Sequence, residues 1–127
     1  MVRENEISGA IVDAAVKVHR ILGPGLLESV YEAVLAHELT RRGLRVERQV
    51  AIDIVYEELR LPAAFRADLL VEGLVLIELK SVEQAAPVHK KQALTYMKLA
   101  SIRVGLLLNF GAALMKEGIT RLANRCP

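Results

Sequence analysis

The sequence has little cysteine, few aromatic residues and no marked excess of charge, and each shortage excludes a class of protein. Its single cysteine, Cys126, rules out a disulfide scaffold or a cysteine-based zinc site within one chain. Aromatic residues make up 4% of the 127 residues, which disfavours a stacking platform for single-stranded nucleic acid. The net charge is only +2, so nucleic-acid binding would require a local basic patch. The three histidines, His19, His37 and His89, show no metal-ligand spacing.

The distribution of apolar residues in the sequence also predicts no targeting or membrane-spanning segment. The opening stretch MVRENEISG lacks the apolar region of a signal peptide. No stretch approaches the ~18 apolar residues that a membrane-spanning helix needs. Hydrophobic residues make up 53% and charged residues 25% of the chain, which predicts one globular domain over residues 1–127. The cytoplasm is the expected location.

The hydrophobic pattern predicts two helices, a meander of strands, a third helix and a final pair of strands. Apolar residues at helical spacing predict helices over 6–22, 25–42 and 86–100. A strand–helix–strand crossover of 74–80, 86–100 and 103–110 implies that its two strands are parallel, so the fold class is α/β. Residues 44–56 are predicted to form one long strand or two short ones, and a short strand that Pro62 interrupts is expected after the turn EELRL. The strands 64–71 and 74–80 are joined by a tight Glu72-Gly73 turn. A last edge strand is predicted in 118–124.

Charged side chains interrupt the apolar pattern on the predicted hairpin. Glu78 and Lys80 continue the side of the strand that Leu74 and Leu76 begin, and the hairpin brings Asp68 near Glu78. Two adjacent carboxylates repel each other unless one is protonated or a cation lies between them, which favours Mg²⁺ or Mn²⁺. Lys80 could then stabilise a hydroxide or a phosphate oxygen. A charge pair at a solvated strand end explains Glu78 and Lys80 equally well.

Polar residues on the helices extend this candidate site. Gln92 and Tyr96 lie one turn apart on the face expected to meet the sheet, although helix–sheet packing alone would also place them there. Glu28 is expected to lean toward the buried stripe of the second helix, or to be a first-turn acid favoured by the helix dipole. Candidate phosphate contacts, which could instead be solvated surface residues, are Arg66, Lys90 and Lys91.

These motifs resemble a known group of enzymes. Asp68, nine intervening residues and Glu78-Leu79-Lys80 are similar to the D…(D/E)xK signature of the PD-(D/E)XK nuclease superfamily, and Gln92-x-x-x-Tyr96 is similar to its QxxxY motif. The stretch GLLESVY at 25–31 resembles the GxxExxY family, and FRADLLV, IELKSVE, HKKQALTYMKL and GLLLNFG follow in that family's order. Phe65 departs from the exonuclease-like branch, which often has glycine there.

The resemblance implies a restriction-endonuclease-like core, with a mixed β-sheet flanked by α-helices, and a metal-dependent nuclease that acts on nucleic acid, most simply DNA. It implies Asp68, Glu78 and the Leu79 carbonyl as ligands of Mg²⁺ or Mn²⁺ and Lys80 as the catalytic lysine. It also gives Glu28 a role in positioning metal or water, with Gln92 and Tyr96 as supporting residues.

The sequence is compatible with two other functions. A catalytically silent nuclease fold would bind nucleic acid or a protein partner, and a small-molecule phosphate hydrolase would need a closed pocket. A nuclease that cuts both strands would suit a homodimer, for which the apolar stretch GLLLNFGAALM or the first helix could form either an interface or core.

Overall fold

A computed structural model describes residues 2–124; Cys126 lies outside this range. The chain forms a five-stranded sheet with helices on both faces, as the predicted α/β class requires. No helix within residues 2–124 has the length and apolar character needed to cross a membrane. In chain order the elements are α1 (Val2–Leu22), α2 (Glu28–Arg41), β1 (Val46–Tyr56), β2 (Leu59–Val71), β3 (Val75–Lys80), α3 (Pro87–Ala100), β4 (Val104–Asn109), a 3₁₀ turn (Met115–Gly118) and β5 (Ile119–Ala123).

The strands lie in the sheet in the order in which they occur in the chain. β1, β2 and β3 form an antiparallel meander, β4 runs parallel to β3, and β5 is an antiparallel edge strand beside β4. The parallel pair confirms the predicted crossover through α3. Glu72 and Gly73 have φ values of 55° and 66° and form the tight turn of the β2–β3 hairpin. That turn suits two residues with positive φ and fixes the register, with Leu69 opposite Ile77.

Two hydrophobic clusters cover the two faces of the sheet. The first cluster lies between the sheet and the helices α1 and α2, and the apolar stripe of α1 is fully buried in it. The second cluster lies under α3, where Ala93 and Met97 pack on the sheet. All six residues of β4 are buried, so this part of the stretch considered for a dimer interface is core. The residues of β3 alternate between the clusters, with Ile77 and Leu79 in the first and Leu76 in the second.

Several element boundaries differ from the sequence predictions. α2 begins at Glu28 instead of residue 25, because the chain at Gly23 and Gly25 has positive φ values that a helix does not contain. The expected interruption at Pro62 is wrong, because β2 continues through this residue. The register of the β1–β2 pairing shifts next to Pro62, and proline is accepted at such irregularities. Leu74 packs on the α1–α2 side, opposite to Leu76, because it still belongs to the turn.

Candidate active site

The β2–β3 hairpin brings two acidic side chains together at the centre of the sheet. The backbone N–H of Asp68 donates a hydrogen bond to Glu78 Oε1 at 3.3 Å. The backbone N–H of Leu79 donates to Asp68 Oδ2 at 2.7 Å. Glu78 is only 8% exposed, and Asp68 is half-buried. The predicted proximity of the two carboxylates is therefore confirmed.

Burial and mutual repulsion make this pair hard to ionise. Burial, followed by the charge of Asp68, raises the pKa of Glu78 to about 8. The pKa of Asp68 is also raised, first by burial and then by the negative charge of Glu32 on α2. Within residues 2–124 neither carboxylate forms an ion pair with a lysine or arginine. A buried and a half-buried carboxylate in this state are a favourable site for an added cation.

The donor set fits a magnesium-type ion. No group of three or more His, Cys, Asp and Glu side chains in the described part of the chain is placed to hold a metal, so the site has two carboxylates. Mg²⁺ commonly takes one or two carboxylates and completes its shell with water and substrate oxygens. The N–H of Leu79 points toward β2, and the carbonyl of a strand residue points to the same side as its N–H. The Leu79 carbonyl is therefore directed to this site and not into the pairing with β4.

Lys80 follows at the end of β3. It lies on the same side of the strand as Glu78, is half-buried, and its positive charge lowers the pKa of Glu78, which opposes the larger effect of burial. The carbonyl of Lys80 accepts a hydrogen bond from the N–H of Phe110 at 2.8 Å, which fixes this strand end against β4. Within residues 2–124 its ammonium group forms no ion pair, so the charge is available to a ligand.

The helix α2 contributes two carboxylates to this region, and the buried one is not the one that the sequence predicted. Glu28 is exposed at the helix start, so the expectation that it leans into the buried stripe is wrong. Glu32, one turn later, is buried with 7% exposure and was not among the predicted site residues. Together they line a cleft of about 420 Å³ whose other residues are Ser29, Gln49, Asp68 and Leu79.

Gln49 on β1 is a second residue of this cleft that sequence reasoning missed. Its side-chain amide lies between Glu32 and Asp68 and donates to both carboxylates. The (i, i+4) spacing of Glu28 and Glu32 was a usable signal for the second carboxylate. No comparable signal marks Gln49, which lies in an ordinary strand sequence.

On the helix α3, only one of the two predicted residues is electrostatically linked to the carboxylate pair. The pKa of Tyr96 is raised by partial burial and then by the charges of Glu78 and Asp68. The ring of Tyr96 stacks on Phe65, with centroids 4.0 Å apart. At this position, where the exonuclease-like branch often has glycine, Phe65 is therefore a packing partner of Tyr96. Gln92 is exposed one turn earlier, and its side chain forms no hydrogen bond within residues 2–124.

The three candidate phosphate contacts are all at the surface. Arg66, Lys90 and Lys91 are exposed, and none of them forms an ion pair within the described residues. The guanidinium of Arg66 donates a hydrogen bond to the backbone carbonyl of Gln49 at 3.3 Å. This contact holds the guanidinium close to the cleft. The two lysines lie in the first turns of α3, ahead of Gln92 and Tyr96.

The loop at 23–27 is held in place by the last residue of the GLLESVY stretch. Tyr31 is fully buried, its hydroxyl donates to the carbonyl of Gly23 at 2.5 Å, and it accepts from the N–H of Leu26 at 3.1 Å. The ring of Tyr31 stacks on Phe110 with centroids 4.5 Å apart. Ser81, next to Lys80, also donates to the carbonyl of Leu26. The loop is thus fixed against the end of β3, and with it the start of the helix that bears Glu28.

The Tyr31→Phe variant is expected to lower the free energy of unfolding by about 1–2 kcal/mol, because two loop groups lose partly buried hydrogen bonds. Urea denaturation measures this change, with Tyr56→Phe as the matched control. Tyr56 is 68% exposed, and its hydroxyl has no hydrogen bond within residues 2–124. Equal stability of the two variants would contradict the structural role of the Tyr31 hydroxyl.

A larger cavity, of about 810 Å³, lies elsewhere, between the segment after β3 and the 3₁₀ turn. Its lining includes Glu83 and Glu117 but no lysine, arginine or member of the carboxylate pair. Such a cavity would repel a phosphate group, so size does not make it the candidate site.

Comparison with known proteins gives one result. Neither the curated proteins nor the solved structures include a match to this chain. The family comparison, in contrast, matches residues 5–122 to the PD-(D/E)XK nuclease superfamily. This range contains the whole sheet except the last residue of β5, and all the site residues described above. From its fold, its carboxylate pair and this match, the chain belongs to the PD-(D/E)XK nuclease superfamily.

Proposed function

We propose that this protein is a divalent-metal-dependent nuclease of the GxxExxY family that hydrolyses phosphodiester bonds in DNA. Nucleases of this superfamily generally use divalent metals and act on nucleic acids. The observation that supports the proposal most directly is the Asp68–Glu78 pair, in which Glu78 is buried and Asp68 is half-buried. Within residues 2–124 the pair forms no ion pair, and it lies beside the positive charge of Lys80.

In this proposal Asp68, Glu78 and the Leu79 carbonyl hold Mg²⁺ or Mn²⁺. The chemistry that such an ion supplies is activation of a water molecule and neutralisation of phosphate charge. Lys80 stabilises the negative charge that builds up on the phosphate during attack. Glu28, exposed in the cleft, orients the attacking water and accepts its proton.

The α3 residues act on the substrate side of the same site. Tyr96, held by stacking on Phe65, would support the carboxylate pair from the α3 side. Gln92 is exposed, and its amide forms no hydrogen bond within residues 2–124, which suits a hydrogen bond to a phosphate oxygen or a base edge.

An open cleft suits a polymeric substrate better than a small phosphate ester. Glu28, Ser29 and Gln49 line the cleft and are exposed, so a long chain could pass across it. Arg66, Lys90 and Lys91 would contact phosphates on either side, and binding should weaken steeply with salt. On a duplex, two protomers would each cut one strand, so the proposal includes a homodimer.

The test is calorimetric titration with MgCl₂ and with MnCl₂, on the wild type and on Glu78→Ala, beside a plasmid-nicking assay. We expect the wild type to bind metal and nick the plasmid, and Glu78→Ala to lose both. Glu83→Ala is the matched control, since Glu83 is an exposed carboxylate three residues after Lys80. Sedimentation velocity on the same preparation tests the homodimer.

Two results would overturn the proposal. A wild type that binds no metal and cuts neither plasmid, branched nor single-stranded DNA would be a silent nuclease fold that binds a partner. A wild type that binds metal but hydrolyses only small phosphate esters would be a phosphate hydrolase.

A further inference from the structure

The residue that connects α2 to the carboxylate pair is Gln49, and nothing in the nuclease signature includes it. Gln49 Nε2 donates to Glu32 Oε1 at 2.5 Å and to Asp68 Oδ1 at 3.4 Å. One amide group thus uses its two hydrogen atoms on two carboxylates that would otherwise repel each other. Glu32 also accepts a hydrogen bond from Arg48 Nε at 3.1 Å.

Both oxygens of Asp68 are therefore oriented by donors from different strands. Oδ2 accepts from the Leu79 N–H on β3, and Oδ1 accepts from Gln49 on β1. These two contacts fix the plane of the carboxylate, because rotation about its last bond would break at least one of them. Each carboxylate oxygen of Asp68 keeps a further lone pair with which a ligand could be bound.

The backbone at Gln49 is specialised for this contact. Its φ of 52° lies in the left-handed region, which a glutamine in a strand rarely adopts. The regular β1–β2 pairing includes Arg48 with Leu69 and Val50 with Ala67, but Gln49 and Asp68 do not pair. The register is the same on both sides of Gln49, and a register shift lies further along β1, between Ile52 and Ile54. Arg66 donates a hydrogen bond to the carbonyl of the left-handed Gln49. Strained backbone conformations of this kind often occur where function requires a particular side-chain direction.

Glu32 explains why the amide group faces this way. Glu32 is buried on α2, and its Oε1 accepts a hydrogen bond from Gln49 Nε2. This contact holds the N–H side of the amide toward the two carboxylates and directs the carbonyl oxygen of Gln49 away from them. Asp68 is consequently presented with a donor and not with a second acceptor.

From this geometry we infer that Gln49, held by Glu32, is a positioning residue that orients Asp68 for metal binding. The inference rests on the proposed function, since it assigns the role with respect to the ion that Asp68 and Glu78 would hold. Residues that orient metal ligands typically change metal affinity 10–100-fold when they are replaced.

The test compares Gln49→Met with Arg48→Ala by calorimetric titration with MnCl₂. Both variants remove one donor from Glu32, but only the first removes the contact with Asp68, and methionine keeps the length of the side chain. We expect Mn²⁺ affinity to fall about 10–100-fold in Gln49→Met and to stay within about threefold of the wild type in Arg48→Ala. A purely structural role of Gln49 would give the two variants the same affinity.

A second readout needs no metal. In the metal-free protein, the side-chain amide resonance of Gln49, assigned by its loss in Gln49→Met, should shift in Asp68→Asn. It should not shift in Asp53→Asn, since Asp53 is exposed on the same strand and accepts its hydrogen bond from Ala63. An unshifted resonance in Asp68→Asn, or unchanged Mn²⁺ affinity in Gln49→Met, would overturn the inference alone. A wild type that binds no Mn²⁺ would overturn the proposed function, and the role of Gln49 with it.

Discussion

Replacement of Lys80 by methionine is expected to reduce plasmid nicking about 10²–10³-fold, the usual effect of removing one group that stabilises transition-state charge. Lys80 suits this role because it is half-buried at the end of β3 and acts on Glu78 electrostatically while forming no ion pair in the described residues. Methionine keeps the apolar stem and removes only the charge.

The informative comparison is between nicking and metal binding in the same variant. Mn²⁺ affinity in Lys80→Met should stay within a few-fold of the wild type, because Asp68, Glu78 and the Leu79 carbonyl are unchanged. Lys98→Met provides the matched control, since Lys98 is exposed in the last turn of α3. Full nicking activity in Lys80→Met would exclude a catalytic lysine here, and equal loss of activity in the control would indicate a general charge effect.

The proximity of Asp68 and Glu78 was predictable because the turn fixes the strand register. With Glu72 and Gly73 in the tight turn, the pairing of Leu69 with Ile77 follows, and the next position along places Asp68 opposite Glu78. The parallel arrangement of β3 and β4 was predictable for a similar reason, because a crossover through one helix leaves few alternatives. Both predictions depend on local chain geometry.

The error on Glu28 has a physical cause in the helix end. A helical projection from residue 25 assigns Glu28 to the buried stripe, but the helix begins at Glu28 itself. A first residue has no preceding helical turn to pack beside it, so its side chain is exposed, whereas Glu32 faces β1 and is buried. The end of the loop at 23–27 depends on the hydrogen bonds of Tyr31. Because these are tertiary contacts, a helical projection does not include them.

Other features could not be predicted because they depend on close approaches between distant segments. A Cβ atom on Gly111 would lie 2.1 Å from the carbonyl oxygen of Val82, so only glycine allows the segment after β4 to pass the segment after β3. Asn109 secures the same approach by accepting hydrogen bonds from the N–H groups of Val82 and Gly111. The left-handed conformation of Gln49 is likewise a response to Glu32 and Asp68, which lie on other elements.

The second large effect is the dependence of stability on pH in the metal-free protein. The pKa of Glu78 is raised from 4.5 to about 8, so between these values the folded protein keeps a proton that the unfolded chain has lost. Because the folded state then binds more protons, the free energy of unfolding should fall as the pH rises from about 4.5 to about 8 and level off above that. Each unit of difference between the folded and unfolded pKa corresponds to about 1.4 kcal/mol. The free energy of unfolding should therefore fall by several kcal/mol, with a matching fall in melting temperature. The raised pKa of Asp68 acts in the same direction.

Glu78→Gln should remove most of this slope, because the amide has the shape of the protonated acid and cannot ionise. Thermal melts from pH 5 to pH 9 would measure the difference between this variant and the wild type, with Glu83→Gln as an exposed control. The variant should be more stable than the wild type at pH 8 and similar to it near pH 5.

Addition of MnCl₂ should stabilise the wild type most at high pH, since the ion competes with the proton for Glu78. A slope that persists unchanged in Glu78→Gln would show that the carboxylate pair is not the source of the pH dependence. A stable variant that no longer binds metal would instead indicate that the pair is kept, at a cost in stability, for the ion it would hold.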